Sequence, residues 1–312
     1  MSRSSRHSIR IRMIIAACLA LFFLAAAGST GWAEMTGMAW LANQPDVRSA
    51  LLGGAVVSNV ADASATLWNP AGLAGIDGGE GLVTHAASFA DIRREFAAIA
   101  RNYGSVALGA HFEGVWTDDL DGYDGSGTFE GSFGYYGMAA GLAAGMPLGD
   151  HFRVGAGVKY LREAIDVYSA TGWAVDLGAQ WMAGTMPLQL GAAVLNLGSD
   201  PTFIDESFPI PTIFQAGGSY TFPLNSLSGG LMVSADVRSA KDRDTSIRYG
   251  VEYQHLQMVS LGVGYRTALD SQDLSFGFTF HRDRVELQYA FLPQSDSLLG
   301  DSHRFGLGVK LW

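Results

Sequence analysis

From residue 79 onward, apolar and polar positions alternate with a period of two. In 231–238, Leu231, Val233, Ala235 and Val237 alternate with Met232, Ser234, Asp236 and Arg238. In 247–254, Ile247, Tyr249, Val251 and Tyr253 alternate with Arg248, Gly250, Glu252 and Gln254. The same holds in 173–181, with Trp173, Val175, Leu177, Ala179 and Trp181 on one side, and in 285–291, with Val285, Leu287, Tyr289 and Phe291. A period of two marks strands whose two faces meet different surroundings. One face is apolar with aromatics near its ends. The other carries glycine, charge and amide.

This pattern predicts fourteen strands, at 81–90, 93–102, 105–116, 131–146, 151–163, 172–183, 186–197, 212–222, 228–239, 245–255, 257–268, 274–281, 284–292 and 303–312. The spacing is about 17 residues per strand with its connection, which suits a membrane-crossing strand of ~9–11 residues plus a turn. The even-numbered connections are short. Most odd-numbered ones, at 117–130, 164–171, 198–211, 240–244, 269–273 and 293–302, are longer and more acidic; the first, Asp91-Ile92, is the exception. Short turns on one side and long loops on the other are expected of a barrel with both termini in the periplasm. After residue 33 no apolar stretch of 18 residues occurs, so helical membrane spans are excluded. A closed barrel is then the remaining route across a bilayer, because it pairs every backbone group. A soluble sandwich or propeller would also have many short strands, but it would have no reason to sort its loops by parity. The predicted fold is therefore all-β, a 14-stranded antiparallel transmembrane β-barrel over 79–312.

Residues 34–78 do not alternate. Fourteen strands enclose more space than their own side chains fill, so this segment is read as a plug or hatch entering from the periplasm, with an ordinary connector as the alternative. Residues 47–57 suit either a short helix or an extended strip. Trp68-Asn69-Pro70-Ala71-Gly72 predicts a firm turn. Proline disfavours α geometry at Asn69, and Gly72 permits a left-handed φ.

The inward register collects Arg153, Lys159, Asp176, Asp236, Arg238, Arg248, Glu252, Arg266, Glu286 and Lys310. Mixed sign reads as a salt-bridged lumen that holds a plug rather than as an ion filter of one sign. The functional alternative is that some of these side chains grip a ligand carboxylate. His111 and Glu113 also share the inward face. Such a pair could do acid/base work, but no serine-centred or paired-aspartate motif accompanies it, so a lumen salt bridge and a non-enzymatic protein are expected. Asp119 to Glu130 is spaced like a calcium loop, yet Tyr123 and Asp124 stand where an oxygen ligand and glycine belong. A flexible acidic surface loop is expected there, with no metal and no cofactor.

Composition narrows the class. Only 16% of residues are charged, 40 of 312 are glycine, the net charge is −10 and there is one Cys. A nucleic-acid binder, a disulfide framework and a Cys-based zinc site are thereby excluded. Arg3, Arg6, Arg10 and Arg12 precede an apolar run at 13–27 and a small-residue exit ending at Ala33. This reads as a secretory signal over 1–33, since fifteen apolar residues fall short of a helical span. A lipoprotein reading at Cys18 is disfavoured because the apolar run continues past it. Loss of four arginines takes the net charge from −10 to −14.

Two stretches resemble a known family. The first runs from Arg48 to Ala55 with its Leu51-Leu52-Gly53-Gly54 core, and then from Ala61 to Ala74 through Trp68-Asn69-Pro70-Ala71-Gly72. The second is the ending Gly300-Asp301-Ser302-His303-Arg304-Phe305-Gly306. Val175-Asp176-Leu177-Gly178 and Asn196-Leu197-Gly198 add to it. Together they resemble the PorV/PorQ family, a branch of the FadL-like outer-membrane barrels. The resemblance implies a fourteen-strand barrel with an N-terminal plug, located in the outer membrane and built with its assembly machinery. It also implies one of two roles: uptake of a hydrophobic small molecule, or service to exported proteins as in type IX secretion. The first requires an apolar pocket between 34–78 and the wall. One departure is Trp312, which stands one residue beyond the outward register of Phe305, Leu307, Val309 and Leu311.

Overall fold

The structure, a computed structural model, describes residues 36–43, 45–88, 92–241, 243–268, 273–294 and 300–311. The expected export signal at 1–33 and the terminal Trp312 lie outside these. Fourteen strands close into one antiparallel barrel: β1 (Gly79–Ala87), β2 (Arg93–Asn102), β3 (Ala107–Trp116), β4 (Tyr135–Leu148), β5 (Phe152–Ile165), β6 (Tyr168–Met182), β7 (Leu188–Gly198), β8 (Ile213–Leu224), β9 (Gly229–Ala240), β10 (Arg243–His255), β11 (Val259–Arg266), β12 (Leu274–Arg282), β13 (Val285–Leu292) and β14 (Ser302–Lys310). Each strand pairs with its sequence neighbours, and β1 pairs with β14, as in Glu80 opposite Lys310. No sheet edge is left open, which removes the unpaired N–H and C=O groups that hydrocarbon cannot satisfy.

The alternation behaves as the sequence predicts. Val83, Leu142, Trp173, Leu261 and Leu287 point outward and are at least half exposed, while Ser234, Asp236 and Arg238 on the opposite parity are buried.

Two connections differ from expectation. Between β5 and β6 only Asp166 and Val167 remain, and between β9 and β10 only residues 241–242. The alternation runs on through this region, with Ala164 and Ala170 buried and Ile165 and Tyr168 exposed. Asp166 takes φ 54° to make the turn. The extra length goes into strands of 14, 14 and 15 residues in β4, β5 and β6, more than the ~9–11 that a membrane crossing needs.

The acidic segment expected to be a flexible loop is instead a hairpin, Leu120–Tyr123 against Phe129–Phe133. Asp124 builds its tip by accepting from Ser126 Oγ at 2.7 Å and from the amides of Ser126 and Thr128 at 2.8 Å. Those bonds hold its carboxyl below the usual range, the Ser126 hydroxyl contributing most. Among the described residues no group of three His, Cys, Asp or Glu is placed to hold a metal.

Residues 36–43 and 45–78 fill the lumen and run along its whole length. Gly37 N donates to Pro209 O at the long-loop end (3.1 Å), and Asn102 Nδ2 donates to Ile76 O at the short-turn end (2.9 Å). The earliest described residues thus sit at the long-loop end, rather than where a segment entering from the periplasm would begin. The segment folds as a 3₁₀ turn at Ala39–Ala42, a short helix at Val47–Leu51 capped by Asp46, a turn of helix at Ala65–Trp68 and a 3₁₀ stretch at Pro70–Gly75. Residues 47–51 are therefore helical, and residues 52–60 make turns rather than an extended strip.

The inward glycines form its seat. A Cβ at Gly155 would collide with the Pro70 carbonyl, and one at Gly145 would come within 2.6 Å of Pro70 O. Gly191 lies under Val57, Gly250 under Leu52 and Gly264 under Gly53. Backbone rests directly on wall here, and Val47, Leu51, Leu52, Val56, Trp68 and Leu73 pack with Leu82, Phe96 and Met232 of the strands into one apolar core.

Overfilling this seat is expected to cost about 1–3 kcal/mol. Gly155→Val should lower the temperature of barrel unfolding, read by circular dichroism or by the gel mobility of unheated samples. Gly125→Ala, where a Cβ meets open space, should leave it unchanged. Equal melting of both variants would refute the seat.

Candidate functional site

The Trp68 to Gly72 motif fastens the inner segment to the wall. Asn69 is extended (φ −164°), as its position before proline requires. Its Nδ2 donates to Val57 O at 2.8 Å and to Ala179 O of β6 at 3.1 Å, and its Oδ1 accepts from Ala71 N at 3.2 Å. Gln215 of β8 donates to Trp68 O. Gly72, which could take a left-handed φ, does not take one here. It is glycine because a Cβ would run into Val60 O and the Ala65 side chain.

Wall charges hold further points of this segment. Asp236 accepts from Val57 N at 2.9 Å. Glu252 pairs with Arg48 at 2.9 Å, and Arg48 also donates to Asn59. Arg153 packs against Gly75, and Arg248 against Gly54. Other lumen charges stay within the wall. Lys159 pairs with Asp176 at 2.8 Å, and Glu286 pairs with His281 at 2.9 Å. Lys310 lies exposed at the short-turn end of β14. His111 and Glu113 are both buried, but Glu113 pairs with Arg94 at 2.8 Å, and both ring nitrogens of His111 lack a partner among the described residues. The ring sits over Gly141 and 6.3 Å from Phe96.

The two motifs Val175 to Gly178 and Asn196 to Gly198 meet in space. The β6–β7 register shifts between Val175 and Leu177, where Leu195 and Asn196 face Asp176 alone. Asn196 takes φ 60°. Asp176 Oδ1 accepts from its amide at 2.8 Å, and Asn196 Nδ2 donates to Pro211 O at 2.9 Å. A bulge at this place bends the wall and is stabilised by a buried carboxylate.

Between the inner segment and the wall, toward the long loops, lies a chamber of about 460 Å³. The inner segment contributes Trp40, Ala50 and Trp68 to it. The wall contributes Ile92 and Val115 together with Arg94, Arg238, Arg243, Arg248, Arg266 and Arg304. The Arg238 guanidinium lies 5.4 Å over the Trp68 ring, a cation–π distance. Of the arginines, Arg238, Arg248 and Arg266 belong to the inward set read from the sequence, whereas Arg94, Arg243 and Arg304 do not. The parity signal for Arg304 is present, since it alternates with Phe305 and Leu307. In β2 both faces are apolar, with Phe96, Ala98 and Ala100 inside and Ala97 and Ile99 outside, so alternation conceals Arg94. The chamber is amphipathic, not the apolar pocket that a hydrophobic-cargo reading requires.

No protein-family model matches the sequence, and no curated protein sequence matches it. Solved structures do share the fold. The P. putida toluene transporter TodX superposes with a TM-score of 0.65 at 13% identity, covering 87% of this chain and 99% of TodX. The CymD monoaromatic hydrocarbon channel gives 0.63 at 12%, covering 86% and 97%. A Pseudomonas aeruginosa FadL homologue gives 0.54 at 12%, covering 85% and 98%. The likeness is one of fold: this chain has the architecture of the FadL-like fourteen-strand barrels.

Removing the Asn69 amide leaves buried carbonyls without a donor, at a cost of about 1–3 kcal/mol. Asn69→Ala should loosen the inner segment and raise ion conductance in planar bilayers. Asn69→Asp, of equal size but unable to donate when ionised, should do the same. Wild-type conductance in both would show that the anchor lies elsewhere.

Proposed function

We propose that the chain is a non-enzymatic outer-membrane channel carrying small, largely hydrophobic molecules. The observation that carries this reading is a closed barrel whose lumen is filled lengthwise by its own N-terminal segment, with a chamber left between segment and wall. Such an interior bars the free passage of water and ions and leaves a binding space lined by tryptophan, aliphatic and arginine side chains. The outward belt of Val83, Leu142, Trp173 and Leu287 suits hydrocarbon. Two proteins of the same fold, TodX and CymD, are a toluene transporter and a monoaromatic hydrocarbon channel. Delivery to this membrane would use the signal read at 1–33, and insertion would use the outer-membrane assembly machinery.

A second reading, service to exported proteins as in the PorV/PorQ family that the sequence resembles, draws on one feature. The loop hairpins present Tyr123, Phe129 and Ile204 at 55–61% exposure, and apolar residues held out on loops can engage a protein.

The channel reading is tested by uptake into vesicles whose outer leaflet is lipopolysaccharide, which resists apolar solutes. Protein-containing vesicles should take up labelled toluene or naphthalene several-fold faster than empty ones, without a matching gain for sucrose. Removing the hairpin at 120–133 should leave this uptake intact. Uptake equal to that of empty vesicles would overturn the channel, and a secretion defect in the hairpin deletion would favour the second reading.

A further inference from the structure

The hairpin of 120–123 and 129–133 stands apart from the barrel wall. Its strands pair only with each other, as a separate two-stranded sheet. Such a hairpin is marginal in water unless something packs on it. Asp121 lies opposite Ser132, whose hydroxyl donates to its carboxylate at 3.2 Å. Tyr123 stands two residues along the same strand and so points to the same side. It lies opposite Phe129, and the two rings meet edge to face at 5.8 Å. Both rings remain more than half exposed. The register shifts beside them, because Glu130 has no residue opposite it. Aromatic and acidic side chains therefore share one open surface.

The surroundings of this surface carry a single sign. Segments 117–134, 164–171 and 198–211 contain Asp and Glu but no Lys, Arg or His. Arg93, at the foot of the hairpin, is paired with Asp118 at 3.0 Å, and Asp124 is occupied in building the tip. Asp119, Asp121 and Glu130 are exposed and form no ion pair among the described residues. A second copy of this face would set like charge against like, as would any anionic partner. Burial in hydrocarbon, or under a neutral apolar partner, would strip water from the carboxylates beside the rings without replacing it.

From this geometry we infer that the open face of the hairpin docks a cationic polypeptide segment in which arginine alternates with apolar side chains. Guanidinium groups stack on aromatic faces and pair with carboxylates. One such segment would satisfy Asp121 and Glu130 while its apolar side chains cover Tyr123 and Phe129. The inference rests on the second reading, that these loops engage a protein, and specifies the chemistry of that partner.

The test is peptide binding to the full-length protein in nanodiscs of zwitterionic lipid, read by biolayer interferometry with empty nanodiscs subtracted. The probes are a short peptide alternating Arg and Val, a counterpart with Glu for Arg, and a counterpart with Ser for Val. The Arg-Val peptide should bind about tenfold or more tightly than either counterpart, and its binding should weaken with added salt. Tyr123→Ser combined with Phe129→Ser keeps every charge and should weaken it about tenfold. Asp121→Asn combined with Glu130→Gln keeps the rings and should weaken it several-fold. Asp150→Asn, which removes an exposed charge at the short-turn end, should leave it unchanged. Gel mobility of unheated samples verifies that each variant forms a closed barrel. Equal affinity for the Arg-Val and Arg-Ser peptides, unchanged binding in either hairpin variant, or a loss in Asp150→Asn as large as that in the hairpin acids would each overturn the surface. Binding as expected alongside normal secretion in the hairpin deletion would keep the surface and reject the second reading.

Discussion

A closed barrel of fourteen strands has a lumen wider than its own side chains can fill, and the rest of this structure depends on how that space is occupied. The chain spends residues 36–43 and 45–78 on the task. Because this segment brings its own turns and carbonyls into the interior, the wall has to offer both room and hydrogen-bond partners. Glycine supplies the room at Gly145, Gly155 and Gly191. Asn69, Gln215 and Asp236 satisfy backbone groups that the segment would otherwise bury unpaired. A glycine content that looks like conformational looseness in the composition is in fact a packing surface.

The same constraint explains the uneven distribution of charge. Charges occur in matched sets: Arg48 of the inner segment with Glu252 of the wall and, within the wall itself, Lys159 with Asp176 and Arg94 with Glu113. Breaking such a buried pair would strand an uncompensated ion. Toward the long loops the segment leaves a gap, and there the described lining is cationic and aromatic. A glycine-lined seat and a chamber lined by arginine and tryptophan thus divide the lumen, without any change in the strand pattern that builds both.

Much of the architecture was legible from alternation. Fourteen strands, their parity and the inward placement of Asp176, Asp236, Arg238 and Arg248 come from a period of two, because each inward residue is fixed by its outward neighbours. The errors have local causes. Asp166 lies in a stretch where acid content suggested a long loop, yet the alternation of Ala164, Ile165, Tyr168 and Ala170 carries the strands on to a two-residue turn. Arg94 was hidden because β2 is apolar on both faces, Phe96 being packed inside against the inner segment. Gly72 was glycine for want of space rather than for its φ, a distinction that depends on Val60, twelve residues earlier in the chain.

By itself, then, the sequence determined the closed antiparallel barrel, the face each strand residue takes and the turn at Asn69-Pro70, since these depend on periodicity and on proline geometry, both local properties. Only the tertiary structure decided which wall residues meet the inner segment, that Glu113 pairs with Arg94 rather than His111, and that six arginines from five strands converge on one chamber. Those depend on strand register and on the path of a non-repeating segment through the lumen. Residues 204 positions apart, such as Arg48 and Glu252, are brought together by closure of the sheet, which no local pattern encodes.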